Sequence, residues 1–282
     1  MHVRPVTESD APVLLEFWNR SVRFDPLTPA LLAEKLWQDE GFDPALALVA
    51  EREGKLAGFI LGVVRQRADG PMGFVKLMVV DMAQRRHGVA GSLLRELEAR
   101  LAQRGVRVMR VGESAPNYLT PGLDVRHTNA MLFFEKHGYE RVGQTYNLEV
   151  DLAAEDFSTD AHEAKLAAEG IEFRRAASGD ESAVMELLTE HWAAWMPEVK
   201  AGFRNSPISV HLAWMSGAPV GFAAYDCNNR GTGWFGPMGT APEARSKGIG
   251  AVLLRRCLHD LKAQGRATAV IPWVGPIAFY AR

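Results

Sequence analysis

The chain is poor in cysteine, with two in 282 residues, Cys227 and Cys257. Two cysteines make neither a disulfide framework nor a cysteine-built zinc site, and a reducing, cytoplasmic setting is the expectation. Long hydrophobic runs are also lacking. The apolar stretches fall far short of the roughly 18–20 residues that span a bilayer, so no membrane partner is expected. The opening MHVRPVTESD turns charged at once, and no secretory signal is read there. Net charge is nearly absent, formally −2, which removes the global field of a general nucleic-acid binder; no nucleic-acid partner is expected. No two of the eight histidines have the close helical spacing of a ligand pair, so no metal is expected. What is present, 47% apolar and 23% charged residues, is a globular composition, and the length suits two domains.

The strongest signal is an internal repeat. Residues 73–111 align without a gap onto 233–271 at an offset of 160, with nine identities that include Met78/Met238, Arg85/Arg245, Gly88/Gly248, Leu93/Leu253 and Gly105/Gly265. The apolar pattern repeats too: Val89, Leu93, Leu97 and Leu101 face Ile249, Leu253, Cys257 and Leu261, a four-residue spacing that lines one face of a helix. Outside this block the offset shifts, pairing Arg4 with Arg174, Asp10 with Asp180, Gly58 with Gly221, Phe133 with Phe279 and Phe134 with Tyr280. Asp10 and Asp180 stand where an N-cap would open the first helix of each half.

The domains are read as 1–152 and 170–282, joined at 153–169 by an acidic linker. Residues 151–170 carry a net −5 between halves of 0 and +3, the mark of a solvated connector, partly helical around 160–168. In half 1 the pattern predicts elements near 2–6, 10–20, 29–38, 46–51, 56–66, 72–81, 88–103, 107–112 and 128–137, then strands at 139–143 and 145–152 that complete the sheet. In half 2 it predicts 171–175, 180–192, 208–214, 219–226, 232–240, 248–263, 267–271 and 275–282. Strands in a meander followed by strand–helix–strand–helix suggest a mixed sheet flanked by helices. Half 2 has no counterpart of the last two strands, which leaves the expectation of a second sheet with an open edge.

The central motif is Arg85-Arg86-His87-Gly88-Val89-Ala90, repeated as Arg245-Ser246-Lys247-Gly248-Ile249-Gly250, after a strand and at a helix mouth both times. First-turn amides without partners, the helix dipole and small residues make a cradle for a pyrophosphate, rimmed by basic side chains. A single such turn also suits an ordinary strand-to-helix corner; two in the same context favour the cradle. A P-loop is excluded because neither copy has Gly-x-x-x-x-Gly-Lys-Ser/Thr. A dinucleotide fold would need a third small residue where Leu93 and Leu253 stand, and an acid after Asp260, which half 2 lacks.

These residues resemble the GNAT superfamily of acetyl-CoA-dependent N-acetyltransferases, whose pyrophosphate signature is Arg/Gln-x-x-Gly-x-Gly/Ala. Nearly the whole chain resembles two such domains in tandem. The tracts YLTPGLDVRHTNAMLFFEKHGY, FGPMGTAPEARSKGIGAVLL and VGPIAFYAR look like a bacterial two-domain group. The resemblance implies two α/β GNAT-like domains, each a mixed, mostly antiparallel sheet flanked by helices, the second ending before its last strands. It implies acetyl-CoA as co-substrate and a chain that is a monomer or homodimer.

Carried over residue by residue, the cofactor would lie along Leu77, Met78, Val79 and Val80, and along Met238, Gly239 and Thr240. It would sit over Arg85, Arg86, His87, Gly88, Val89, Ala90 and Gly91, and over Arg245, Ser246, Lys247, Gly248, Ile249, Gly250 and Ala251. A free amide near Met78 or Met238 would polarise the thioester carbonyl. Tyr280 stands where a tyrosine protonates the departing thiolate; Phe134 holds that place in half 1, leaving half 1 either to bind without turnover or to use another tyrosine such as Tyr118. Glu113, at a strand end, is either the base for the amine or a solvated carboxylate. Asn129 either holds the cofactor arm or caps a helix. Arg126 and His127 either meet substrate or face water. Trp192, Trp195 and Met196 are either a packed helix face or an aromatic wall around an acceptor pocket.

The expected function is transfer of an acetyl group to a primary amine, a small-molecule acceptor, by direct attack in a ternary complex. The alternatives are a non-catalytic acyl-CoA sensor or scaffold, and an aminoacyl- or peptidyl-transferase of the tandem type, for which the charge balance offers no tRNA track.

Overall fold

The computed structural model describes residues 1–280. Residues 1–144 form one compact unit. Its elements are β1 (His2–Pro5), α1 (Ala11–Ser21), α2 (Pro29–Lys35), β2 (Ala47–Arg52), β3 (Lys55–Arg67), β4 (Gly70–Val80), α3 (Val89–Ala102), β5 (Val108–Val111) and α4 (Thr128–Lys136). The strands run β1-β2-β3-β4-β5, antiparallel as far as β4, which then meets β5 in parallel.

The second unit begins at Thr145. It contains β6 (Leu148–Asp151), α5 (Asp160–Ala167), β7 (Ile171–Arg175), α6 (Glu181–His191), α7 (Met196–Phe203), β8 (Val210–Met215), β9 (Ala218–Tyr225), β10 (Phe235–Thr240), α8 (Ile249–Ala263), β11 (Thr268–Ile271) and α9 (Ile277–Tyr280). Four strands form an antiparallel sheet in the order β10-β9-β8-β7, and β11 pairs with β6. The helix expected over 275–282 is seen to Tyr280; its last two residues lie outside the described ones.

The repeat is structural. Leu93, Leu97 and Leu101 of α3 are fully buried against the first sheet, and Leu253, Cys257 and Leu261 of α8 against the second. Under the start of each helix lies a glycine: a Cβ on Gly58 would sit 2.8 Å from Val89 and Leu93, and one on Gly221 3.2 Å from Ile249 and Leu253. The residues matched between the halves make equivalent ion pairs that the alignment did not announce, Arg4 Nη2 to Asp10 Oδ1 and Arg174 Nη2 to Asp180 Oδ1 both at 2.8 Å. Both aspartates hold the N-cap position of the first α-helix, as expected, but neither side chain bonds a helix amide; each carboxylate accepts from an upstream amide, Thr7 N at 2.8 Å and Ala177 N at 2.7 Å, closing the turn before the helix.

Four expectations are corrected. The boundary lies at 144/145, because the strand expected to finish half 1 pairs with β11, Leu148 opposite Ile271 and Val150 opposite Ala269. Its alternating Leu148 and Val150 pack into the second unit's core, which holds the pairing. The edge of β11 expected to stand open is therefore covered. Residues 140–147 form no strand, since the hairpin partner expected for 139–143 is engaged elsewhere. Nor is 153–169 a solvated linker: Phe157 and Leu166 are buried in that core, and Glu163 holds Arg256 through two bonds of 2.6 and 2.8 Å. Helix α7 was not anticipated, although Pro197 at its first turn is a helix-start signal.

Candidate active site

Each glycine motif forms the same loop. After β4, Arg86 has φ +66° and Gly88 φ +79°; after β10, Ser246 has φ +66° and Gly248 φ +97°. Two left-handed residues separated by one turn successive amides towards a single concavity, an anion nest. None of the N–H groups of residues 86–91, or of 246–250, has a backbone acceptor among the described residues. They stand at the mouths of helices of 14 and 15 residues, whose dipoles add positive potential. A β-carbon at the glycine would meet backbone strain, which is why that place is glycine in both copies.

The signature arginines brace these loops. Arg85 Nε donates to Val80 O at 3.4 Å and Arg245 Nε to Thr240 O at 3.2 Å, tying each loop back to the end of its strand. Arg85 also reaches Ser21 O, at 3.2 Å. Arg86 and His87 are exposed on the rim; Lys247, exposed as well, is 3.2 Å from Glu169. Val89 and Ile249 are buried, and Ala90, Gly91, Gly250 and Ala251 complete the first helical turns.

The strand before each loop parts from its neighbour. β4 and β5 are paired only over Met72–Val75 and Val108–Val111, ending with Gly112 N to Val75 O at 3.0 Å. β10 has no ladder with β11; just before β10 a single parallel bridge joins Trp234 to Val270, and Val270 N donates to Gly233 O at 2.8 Å. Beyond those points the edges holding Met78, Val79 and Val80, and Met238, Gly239 and Thr240, border a wedge. An irregular register accompanies each parting, between Leu61 and Gly62 opposite Lys76 in the first unit and between Phe235 and Met238 in the second. A wedge with an unpaired strand edge beside an anion nest has the shape and donors that suit an extended chain ending in phosphates.

The two units differ around the wedge. In the second, Tyr280 packs edge-on to Phe235 on β10, ring centroids 6.5 Å apart, and Phe279 lies against Gly250 at the helix mouth. Burial pushes the Tyr280 phenol above its ordinary range, so it keeps its proton. In the first, Phe134 is buried between Phe133 and Tyr139 and has no proton to give. Tyr118 is buried. Glu113 stands at the end of β5 with φ +45°, its carboxyl 2.5 Å from Arg110 and pushed upward by burial. Asn129 is exposed as the second residue of α4 and does not cap it; His127 holds the cap position. Arg126 stacks on Phe24 at 3.9 Å and His127 lies 3.8 Å from Asp25, so both meet the α1–α2 loop.

Two clusters were not anticipated in this form. Beneath the β4 irregularity, Asp39 binds Arg65 through two bonds of 2.7 Å and also binds Lys76, while Lys35 binds Glu34 at 2.7 Å and Asn117 at 2.9 Å. Burial lowers Lys76 to about 7, against the opposing pull of Asp39. Asp39 itself stays below the usual carboxylate range despite burial, because Arg65 and Lys76 face it. The available signal was Lys76 inside the apolar run GFVKLMVV. In the second unit, Trp192 and Trp195 stack at 5.8 Å and 15°, both against Phe222, and Trp192 covers Gly239.

A family model described as the acetyltransferase (GNAT) family matches residues 13–139 and 173–282. No curated protein matches the chain. Among solved structures, the glucosamine N-acetyltransferase region of a fungal multi-domain GH3 β-N-acetylglucosaminidase is similar over 100% of this chain, with TM-score 0.83 and 19% identity; the chain spans 36% of that protein. A GCN5-related N-acetyltransferase from Sphaerobacter thermophilus is similar over 95% of this chain and 85% of its own, with TM-score 0.68 and 20% identity. A tandem GNAT protein from the clavulanic acid biosynthesis pathway is similar over 99% and 92%, with TM-score 0.67 and 14% identity. At these identities the likeness is one of fold.

Proposed function

The chain belongs to the acetyltransferase (GNAT) family, and from that premise we propose that it moves an acetyl group from acetyl-CoA to the primary amine of a small molecule, by direct attack in a ternary complex. The observation that carries this reading is the doubled device of a parted strand leading into an anion nest. Bound at a nest, acetyl-CoA supplies an activated thioester. Amides 246–250 hold its diphosphate, and the free edge of β10 aligns its arm and polarises the carbonyl near Met238. The amine nitrogen bonds to the carbonyl carbon, the carbon–sulfur bond breaks, the amine's proton leaves through solvent or a carboxylate, and Tyr280 protonates the thiolate.

The second unit is the catalytic one in this reading, because Tyr280 keeps its proton beside the wedge where Phe134 has none to give. The first unit then binds acyl-CoA without turnover. Calorimetry with acetyl-CoA, together with free-thiol release against an amine panel that includes glucosamine, tests it. Heat and amine-dependent thiol release are expected; no heat from acetyl-CoA would end the reading. Among the described residues no helix is long and apolar enough to cross a membrane.

A further inference from the structure

The open strand edge lies on the first sheet. At the offset of 160, Val108–Val111 of β5 is the counterpart of Thr268–Ile271 of β11. Along a strand the main-chain groups of successive residues turn to alternate sides. In β11, Val270 N donates inward to Gly233 O at 2.8 Å. Outward, Leu152 N donates to Ala267 O at 2.9 Å, and Ala269 and Ile271 stand opposite Val150 and Leu148 of β6. In β5, Gly112 N donates inward to Val75 O at 3.0 Å, so the groups of Met109 and Val111 point outward. Among the described residues β4 is the only strand paired with β5, which leaves that outer edge without a ladder. Burial follows the same contrast. Ala269 and Ile271 are buried in one core with Leu148 and Val150, whereas Met109 and Val111 are only partly buried against theirs, and Val108 is 54% exposed.

We propose that the outer edge of β5 takes an extended segment of a partner protein, antiparallel, with apolar and acidic residues in alternation. β6 shows what such an edge accepts: Leu148 and Val150 pack into the core, and Glu149 and Asp151 alternate with them. Set on β5 in the same register, the apolar pair meets Val111 and Met109. The acid in the place of Glu149 falls opposite Arg110, where β11 has Val270. That place is a non-hydrogen-bonded pair, in which facing side chains come closest. Arg110 is partly exposed and holds Glu113, which Arg67 also faces; the exposed Arg107 begins the edge, and Glu98 is engaged by Tyr139. The edge therefore carries more positive than negative charge. A second copy fits it worse, because two β5 edges paired with Met109 opposite Val111 would set Arg110 against Arg110. In strand addition the main-chain bonds supply affinity and the alternate side chains supply selectivity. The inference is independent of the acyl-transfer reading.

The test adds a fluorescein-labelled peptide, TYNLEVDLA, the sequence of residues 145–153, to the full-length protein and follows anisotropy and amide hydrogen exchange. Saturable binding is expected, with exchange slowed at residues 107–112. A peptide with lysine in the places of Glu149 and Asp151 should bind about fivefold more weakly, and Arg110→Glu should invert that order. Met109→Pro removes an outward amide, a change that an edge strand tolerates, and should abolish binding of both peptides. Arg110→Glu, at a partly exposed place, keeps the test independent of whether Met109→Pro folds. No binding, equal affinity for the two peptides, or faster exchange at residues 148–151, which would mean that the peptide displaces β6 from β11, overturns the proposal. A dimer in sedimentation that the peptide disperses gives the edge to a second copy and overturns it too.

Discussion

The two units share a backbone and differ in what faces it. Each has a strand that leaves its neighbour, an arginine latch and a pair of left-handed residues at a helix mouth. Behind that strand the first unit buries five charged side chains, Glu34, Lys35, Asp39, Arg65 and Lys76, where the second stacks indoles over Gly239. The anion nest is made of main-chain amides, so it tolerates the change from Arg86-His87 to Ser246-Lys247. The opposite face is made of side chains, and there the two copies diverge.

Several substitutions would break or sharpen this contrast. Tyr280→Phe should lower kcat about 100-fold or more while acetyl-CoA still binds, since it removes the general acid alone. Turnover that survives it would move catalysis to the first unit. Asp39→Ala leaves Arg65 and Lys76 buried without their anion and should cost about 3–5 kcal/mol in denaturant unfolding. A loss under about 1 kcal/mol would make the network no stronger than a surface pair.

Gly88→Val and Gly248→Val each force a branched side chain into a left-handed position, at about 1–3 kcal/mol. Each should remove one acetyl-CoA site from the calorimetric stoichiometry, and only Gly248→Val should stop thiol release. Equal kinetic damage from both would deny the units their separate roles.

Lys76 supplies a pH dependence. Its folded value, about 7, lies below that of an unfolded lysine, so the unfolded chain binds more protons between about pH 7 and the ordinary lysine range. Stability contributed by this group therefore rises as pH climbs through that window and is lost as pH falls to 7. Unfolding curves across the window should show the rise, and Lys76→Met should flatten it. Glu113→Gln is expected to have the smallest effect, less than about twofold on turnover, because Glu113 belongs to the first unit. A large drop there would assign it the base.

Much of the frame was legible because it depends on short-range rules. The four-residue apolar period of α3 and α8, and the glycine at each helix mouth, are local statements, and both copies repeat them. The choice of partner by residues 148–151 was not legible. Their alternating pattern suits any sheet with an apolar face, and only the assembled core assigns them to β11. Asp39, Arg65 and Lys76 come from three separate elements, and nothing in their spacing announces one network. Trp192 and Trp195 were readable as a helix face, but not their seat on Gly239.

From sequence alone came the doubling of the domain, the strand–glycine–helix order and the apolar face of each following helix, since these follow from periodicity and local spacing. Tertiary structure decided where one unit stops, which strand covers β11, and which side chains back each parted strand. Those are contacts between residues far apart in the chain, and their energies depend on burial and distance that no local pattern encodes.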